Sequence, residues 1–286
     1  MKIERDMVAV VTGGASGIGE AMAADFAQRG LHLALVDIDG DRLEATRAKL
    51  AGGTSRIFTV CTDLSQDSSI EQLRSEVNRA LGIPDLVCAN AGIYANGGPL
   101  WLTQSADWQW AWQVNVMGVV RTLQALVPGM LLRPSHAHVV ITASIMGFTG
   151  GATSVYSTSK HAVARVAEGL HHDLTAAGAP IGVTLLCPGP VATHLMEADR
   201  NRPAHLRGTG EEPEARDYRA AAHQYFQTHG LSPRLVAAAA VEAIERNQFF
   251  AFPGATAVPH LESRLADIRM NRSPTLLPLT AHSGGR

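Results

Sequence analysis

The feature that most constrains this chain is a rhythm of short apolar runs. Met7–Val11, Leu31–Val36, Arg56–Cys61, Asp85–Ala89, His138–Thr142, Gly182–Cys187 and Gln248–Phe252 are rich in Val, Ile and Leu. Several are nearly continuous rather than alternating, as strands covered on both faces read. Helical patterns lie between them. Ile18–Arg29 closes at Gly30, Ile70, Leu73 and Val77 recur at helical spacing, and long stretches run over 105–131 and 154–177. This alternation predicts an α/β fold: a parallel sheet of about seven strands with helices on both faces. Right-handed crossovers make the sheet doubly wound, with a ligand crevice at the carboxyl ends of its strands.

Two segments break the rhythm. Residues 194–230 are polar and contain Pro203 and Pro213, and they read as an inserted substrate lid of one or two helices. Residues 271–286 read as a flexible tail. The expectation is therefore one domain over 1–270, with 194–230 as its lid. A hydrophobic share of 46% against 17% charged allows a large core and argues against disorder. Net charge is -2, and no basic stripe offers itself to a nucleic acid. No apolar run approaches bilayer length. Charged Met1–Asp6 runs straight into the first strand, so no secretory leader is expected. Cys61, Cys88 and Cys187 are odd in number and far apart, each in an apolar run. They are expected as small buried hydrophobes in a reduced, cytoplasmic protein.

The first strand is followed by Thr12-Gly13-Gly14-Ala15-Ser16-Gly17-Ile18-Gly19 and then a helix. Gly13, Gly17 and Gly19 let backbone turn sharply and approach a pyrophosphate, while Ser16, Gly17 and Ile18 bring N–H groups at the positive end of the helix. A glycine turn also serves packing, and it is the place between strand and helix that favours a dinucleotide site. The second strand ends at Asp37, where an acid accepts hydrogen bonds from an adenosine ribose and repels a 2′-phosphate. Position 16 is Ser, with no Arg or Lys in the loop to offset it. NAD is favoured over NADP. Asp37 also fits a plain turn with Asp39 and Gly40. Asp63 and Leu64 follow the third strand, within reach of an adenine, and Asn90-Ala91-Gly92 ends the fourth with small residues. Each of these is compatible with ordinary turn chemistry.

Tyr156-Ser157-Thr158-Ser159-Lys160 puts Tyr and Lys on one helix face. The chain has four tyrosines but only three lysines, since Arg carries most of its positive charge. A free phenol has a pKa of about 10 and must fall by roughly 2–3 to act as a base near neutrality. A nearby ammonium and an oxidised nicotinamide both favour the phenolate. Ser144 ends the fifth strand twelve positions earlier and brings a hydroxyl to the same sheet edge, or caps a turn. Asn115 is an awkward residue for a helix interior, able to polarise a relay water or to bend the helix. Pro188-Gly189-Pro190-Val191-Ala192-Thr193 makes a rigid turn that can press on a nicotinamide, with Thr193 on its carboxamide, or simply terminates a strand. Trp108, Trp110 and Trp112 read as packing. None of the twelve histidines shows zinc spacing, and no metal is expected.

Together these residues resemble the short-chain dehydrogenase/reductase superfamily, in its compact NAD(P)-binding, Rossmann-like branch. The resemblance spans residues 7 to about 195. It implies a tetrad of Asn115, Ser144, Tyr156 and Lys160. It also implies cofactor contacts from the glycine loop through Thr193, Tyr156 and Lys160 included, and a homotetramer or homodimer built on the two long helices. The family often has one more residue between Ser and Tyr. Many members also end in a glycine-rich segment, where this chain has Phe249-Phe250-Ala251-Phe252-Pro253 and a helical Leu261–Met270. Tyr94, Ile145, Met146, Val155, Leu195 and Met196, beside Ser144, are expected to line an apolar substrate pocket. That suggests a bulky secondary alcohol or ketone, in the manner of bacterial enzymes that oxidise benzylic alcohols of aryl ethers. A non-catalytic NAD(P)-sensing protein is the alternative. Dehalogenases and sugar epimerases on this fold fit less well, because Lys160 is present and few residues follow Thr193.

Overall fold

Adjacent strand residues bury themselves in opposite layers, which is why the runs are apolar throughout. In β1 (Val8–Thr12) and β2 (His32–Asp37), Val10, Ala34 and Val36 join one core, whereas Ala9, Val11, Leu33 and Leu35 join the other. The first core is roofed by α3 (Ser69–Ala80), α5 (Gly118–Met130) and α6 (Ser154–Ala176), the second by α1 (Gly17–Gln28), α2 (Gly40–Leu50) and α8 (Pro233–Glu245). The remaining strands are β3 (Ile57–Cys61), β4 (Leu86–Ala89), β5 (Ala137–Thr142), β6 (Ile181–Leu186) and β7 (Phe250–Ala251). Their order is β3-β2-β1-β4-β5-β6-β7, every neighbour parallel. Strand order reverses between β1 and β4, which opens a crevice at their carboxyl ends. The computed structural model describes residues 1–95, 99–149, 154–207, 213–254 and 257–275.

Local chemistry sets the helix starts. Asp39 caps α2 by accepting from Arg42 N at 3.1 Å, and Ser232 caps α8 ahead of Pro233. The lid-like segment contains 3₁₀ turns over Leu195–Asn201 and Ala204–Leu206, then α7 (Pro213–His229). A last helix, α9, spans Ala257–Arg269.

Four details differ from the sequence reading. The stretch 105–131 is not one helix: α4 (Ser105–Ala111) passes through a π turn at Trp112–Met117 into α5. The π turn turns Asn115 into the interior, where it is fully buried. The last strand is only two residues long, Phe250–Ala251, an edge strand paired to β6 alone. Cys61 is exposed, since it ends the other edge strand, while Cys88 and Cys187 are buried. Residues 271–275 fold back on α9, where Asp267 accepts from Thr275 N at 2.7 Å and pairs with Arg272 at 2.6 Å; residues 276–286 lie outside the described set. Among the described residues, no helix is long and apolar enough to cross a membrane.

Candidate active site

A cavity of about 540 Å³ runs along the carboxyl ends of the strands, from Asp37 and Asp63 to Tyr156 and Phe226. Its floor is the glycine loop. Gly13 and Gly17 adopt φ of +66° and +57°, the left-handed region that favours glycine. Gly19 is demanded by packing instead: a Cβ there would lie 2.1 Å from Gly13 O. The loop is braced from the side. Thr12 Oγ1 accepts from Asn90 N (2.9 Å) and Ala91 N (3.0 Å); Asn90 Nδ2 donates to Thr12 O (3.1 Å) and Asn90 Oδ1 accepts from Thr142 (3.1 Å). One side chain thus ties β1, β4 and β5 together below the cavity.

At the far end, Asp37 accepts from Ala15 N and Asp39 N, both at 3.2 Å. Burial raises its pKa, and those N–H donors work against the rise. Asp63 lines the cavity and also caps its own turn, accepting from Ser65 N at 2.9 Å.

The residues expected to react, Ser144, Tyr156 and Lys160, gather beside the carboxyl ends of β5 and β6. Ser144 Oγ accepts from Met146 N (3.2 Å), donates to Pro188 O (3.4 Å) and hydrogen-bonds Tyr156. Lys160 Nζ donates to Thr142 O at 2.9 Å and lies 5.9 Å from the centre of the Tyr156 ring. Both Tyr156 and Lys160 are buried. Burial pushes the phenol up to about 12, with the Ser144 hydrogen bond working the other way, and brings the ammonium down to about 8. Desolvation outweighs an ammonium at this distance, so the lowering expected from the sequence needs the charge of an oxidised nicotinamide as well. Asn115 clamps the loop after β4: its Oδ1 accepts from Ile93 N (2.8 Å), and its Nδ2 donates to Ile93 O (3.0 Å) and Ser159 Oγ (2.9 Å). Gly92 lies between Asn115 and Lys160, where a Cβ would come within 3.1 Å of Lys160 Nζ.

With this geometry in view, residues 7–204 match the family model for short chain dehydrogenases. The chain belongs to the short-chain dehydrogenase/reductase superfamily. It is 30% identical over 283 residues to a CLA biosynthesis dehydrogenase/reductase of Lactiplantibacillus plantarum, covering 96% of this chain and 97% of that one. It is 32% identical over 255 residues to a C alpha-dehydrogenase of Sphingobium sp., covering 88% and 82%. A short-chain dehydrogenase/reductase from Burkholderia phymatum, crystallised in complex with NAD, superposes with a TM-score of 0.93 at 33% identity, over 97% of this chain and 99% of that one.

Gly13, Ser16, Gly17, Ile18, Asp37, Asp63, Leu64, Asn90, Ala91, Gly92, Pro188, Gly189, Val191 and Thr193 line the cavity, with Tyr156 and Lys160. So do Tyr94, Ser144, Ile145, Met146, Leu195 and Met196. Gly19 and Asn115 stand behind the wall. Val155 does not line it: its side chain is buried behind, packed with Trp110, Ala95 and Leu206. Sequence reasoning missed the α7 wall. Tyr218, Ala222 and Phe226 recur at i, i+4 and i+8 and face the cavity, a stripe visible in the sequence once that segment is read as a helix. It also missed Arg200, for which the sequence carries no signal.

The buried ammonium gives a stability prediction. Lys160 ionises near 8 in the folded chain against 10.5 in the open one. A depressed pKa means that the charge is a burden below pH 8, which is relieved as pH rises toward the unfolded value. Its size is about 3 kcal/mol, offset by about 1 kcal/mol for the hydrogen bond to Thr142. Lys160→Met should therefore stabilise the fold by about 2 kcal/mol near pH 7. Thermal melts should show that gain shrinking between pH 8 and 10.5.

Proposed function

We propose that this chain is an NAD-dependent dehydrogenase that moves a hydride between nicotinamide and the carbon of a bulky, hydrophobic secondary alcohol or its ketone, aromatic substrates included. The observation that carries this reading is the Tyr156–Ser144 hydroxyl pair, held at one end of a cavity whose other end is a glycine loop closed by Asp37.

The cavity residues fit a dinucleotide. Positive-φ glycines leave the loop free of Cβ atoms, and Ser16, at the start of α1, makes no side-chain cap, so N–H groups there are open to a pyrophosphate. Asp37 suits the adenosine ribose, Ile38, Asp63 and Leu64 the adenine, and Tyr156, Lys160 and the Pro188–Thr193 turn the nicotinamide half. A nicotinamide bound there supplies the two-electron carrier and, when oxidised, a positive charge near the phenol.

The chain's own groups then handle the proton. Tyr156 Oη takes it from the carbinol hydroxyl in oxidation and returns it to the carbonyl oxygen in reduction. Ser144 Oγ donates a hydrogen bond to that same oxygen. Lys160 would hold the ribose hydroxyls of a bound nucleotide and favour the phenolate, and Asn115 positions the loop beside it. Buried at about 12 on its own, the phenol keeps its proton and is ready to donate.

Substrate class follows from the wall. Tyr94, Tyr156 and Met196 form one apolar cluster with Met146, Leu195 and Phe226, and the Tyr94 and Tyr156 rings lie 5.5 Å apart. In this reading the 194–230 insertion is the lid, and Leu195, Met196 and Phe226 are its wall on the pocket. A homodimer or homotetramer and a cytoplasmic setting belong to the same reading.

A panel of secondary alcohols and ketones, assayed with NAD and NADP by nicotinamide absorbance, tests it. Turnover of bulky aryl or alkyl carbinols is expected; activity confined to small polyols, or NAD binding without turnover, contradicts it. Asp37→Ala should lower the NAD/NADP ratio of kcat/KM about tenfold or more, as lost repulsion of one 2′-phosphate implies. An unchanged ratio contradicts the cofactor assignment.

A further inference from the structure

The adenosine end of the cleft has a cation that the reaction does not use. Arg200, at the end of the Leu195–Asn201 turns, lines the same cavity as Asp37, Ser16, Gly17 and Thr193. It is the only arginine among the described lining residues. Its Nη1 is fixed by two carbonyls of its own segment, His194 O (3.2 Å) and Glu197 O (2.9 Å). Among the described residues it has no carboxylate within ion-pair distance, although it is near enough to Arg42, Asp37 and Asp39 for their charges to act on it.

Its neighbours are used differently. Arg42 pairs with Asp39 at 3.3 Å. Arg202 bolts the segment to α4, pairing with Asp107 at 2.7 Å and lying over the Trp110 ring at 4.9 Å. The start of the segment rests on the glycine loop, where a Cβ on Gly17 would meet Thr193 Cγ2 at 3.0 Å. Gln227 on α7 holds Thr193 O at 2.9 Å. Arg200 is thus carried over the adenosine end by a segment anchored on both sides.

Among the described lining residues, the other fixed charges facing that end of the cavity are Asp37 and Asp63, both negative. The glycine loop brings only N–H dipoles, and a dinucleotide brings at least two phosphate charges. We propose that Arg200 is a cofactor-binding residue, pairing with a phosphate oxyanion of the dinucleotide and so latching the Leu195–Asn201 turns over it. The inference rests on the NAD-dependent reading above. The oxyanion belongs either to the pyrophosphate, common to both dinucleotides, or to the 2′-phosphate of NADP. Guanidinium suits either through paired N–H donors.

The test is a titration of NADH and of NADPH into the wild type, Arg200→Ala and Arg200→Lys, followed by calorimetry. Arg200 is exposed and outside the core, and proteolysis of each variant without cofactor measures what the lost bonds to His194 O and Glu197 O do to the segment by themselves. Arg200→Ala should weaken binding about tenfold, with Arg200→Lys between the two. Loss for both dinucleotides identifies the pyrophosphate; loss for NADPH alone identifies the 2′-phosphate. In either case the cofactor should protect residues 195–207 from proteolysis in the wild type and less so in Arg200→Ala. Wild-type affinity in Arg200→Ala for both dinucleotides overturns the latch but leaves the NAD-dependent reading standing. A wild type that binds neither overturns both.

Discussion

Tyr156→Phe should lower kcat about a thousandfold while changing NADH affinity less than threefold. The loss is that of one positioned proton donor and acceptor, about 4 kcal/mol of barrier. Phe keeps the ring, so its packing 5.5 Å from Tyr94 survives and the pocket keeps its shape. The hydroxyl removed is hydrogen-bonded to Ser144, so about 1 kcal/mol of stability goes with it, too little to unfold the chain. Steady-state rates and a binding titration on one preparation separate the two effects. Retained turnover would mean that another group moves the proton.

Gly19→Ala should remove dinucleotide binding by about a hundredfold or more, the result of displacing a loop whose N–H groups act together. The added Cβ would sit 2.1 Å from Gly13 O, 2.7 Å from Gly13 C and 2.9 Å from Asn90 Nδ2. Two of these are backbone atoms that cannot swing aside, and the third is the brace across β1, β4 and β5. Gly53→Ala is the control, for nothing lies within 4 Å of a Cβ there. It should bind as the wild type does. Calorimetry on both variants checks the pair, and equal affinities would show that the loop does not carry the phosphates.

Much of the framework was legible in the sequence because its cause is local. Strands such as β1 and β2 read as solid apolar runs since Val10 and Val36 fill one layer while Val11 and Leu35 fill the other. Glycines at 13 and 17 announce themselves because only glycine takes those φ values cheaply. The i, i+4 spacing of Tyr156 and Lys160 survives in any helix. What escaped depends on chain return. Arg200 reaches the Asp37 end only because the chain returns over the cavity after Thr193, and Phe226 is brought to Tyr156 by α7, neither of which local spacing announces. Val155 looked like pocket wall by its place next to Tyr156, but adjacent helix residues point different ways, and it packs with Trp110 instead. Asn115 announced itself as awkward without revealing the π turn that accommodates it. The direction of the Tyr156 shift also eluded the sequence, because spacing reveals a charge partner but not how much water burial removes.

The most direct test follows one hydrogen atom. A secondary alcohol accepted by the enzyme is deuterated at the carbinol carbon and oxidised with NAD. Direct hydride transfer predicts deuterium in the reduced nicotinamide, a slowed wild-type reaction, and no measurable transfer by Tyr156→Phe on the same timescale. Label lost to water, or transfer undiminished without the phenol, would contradict the account.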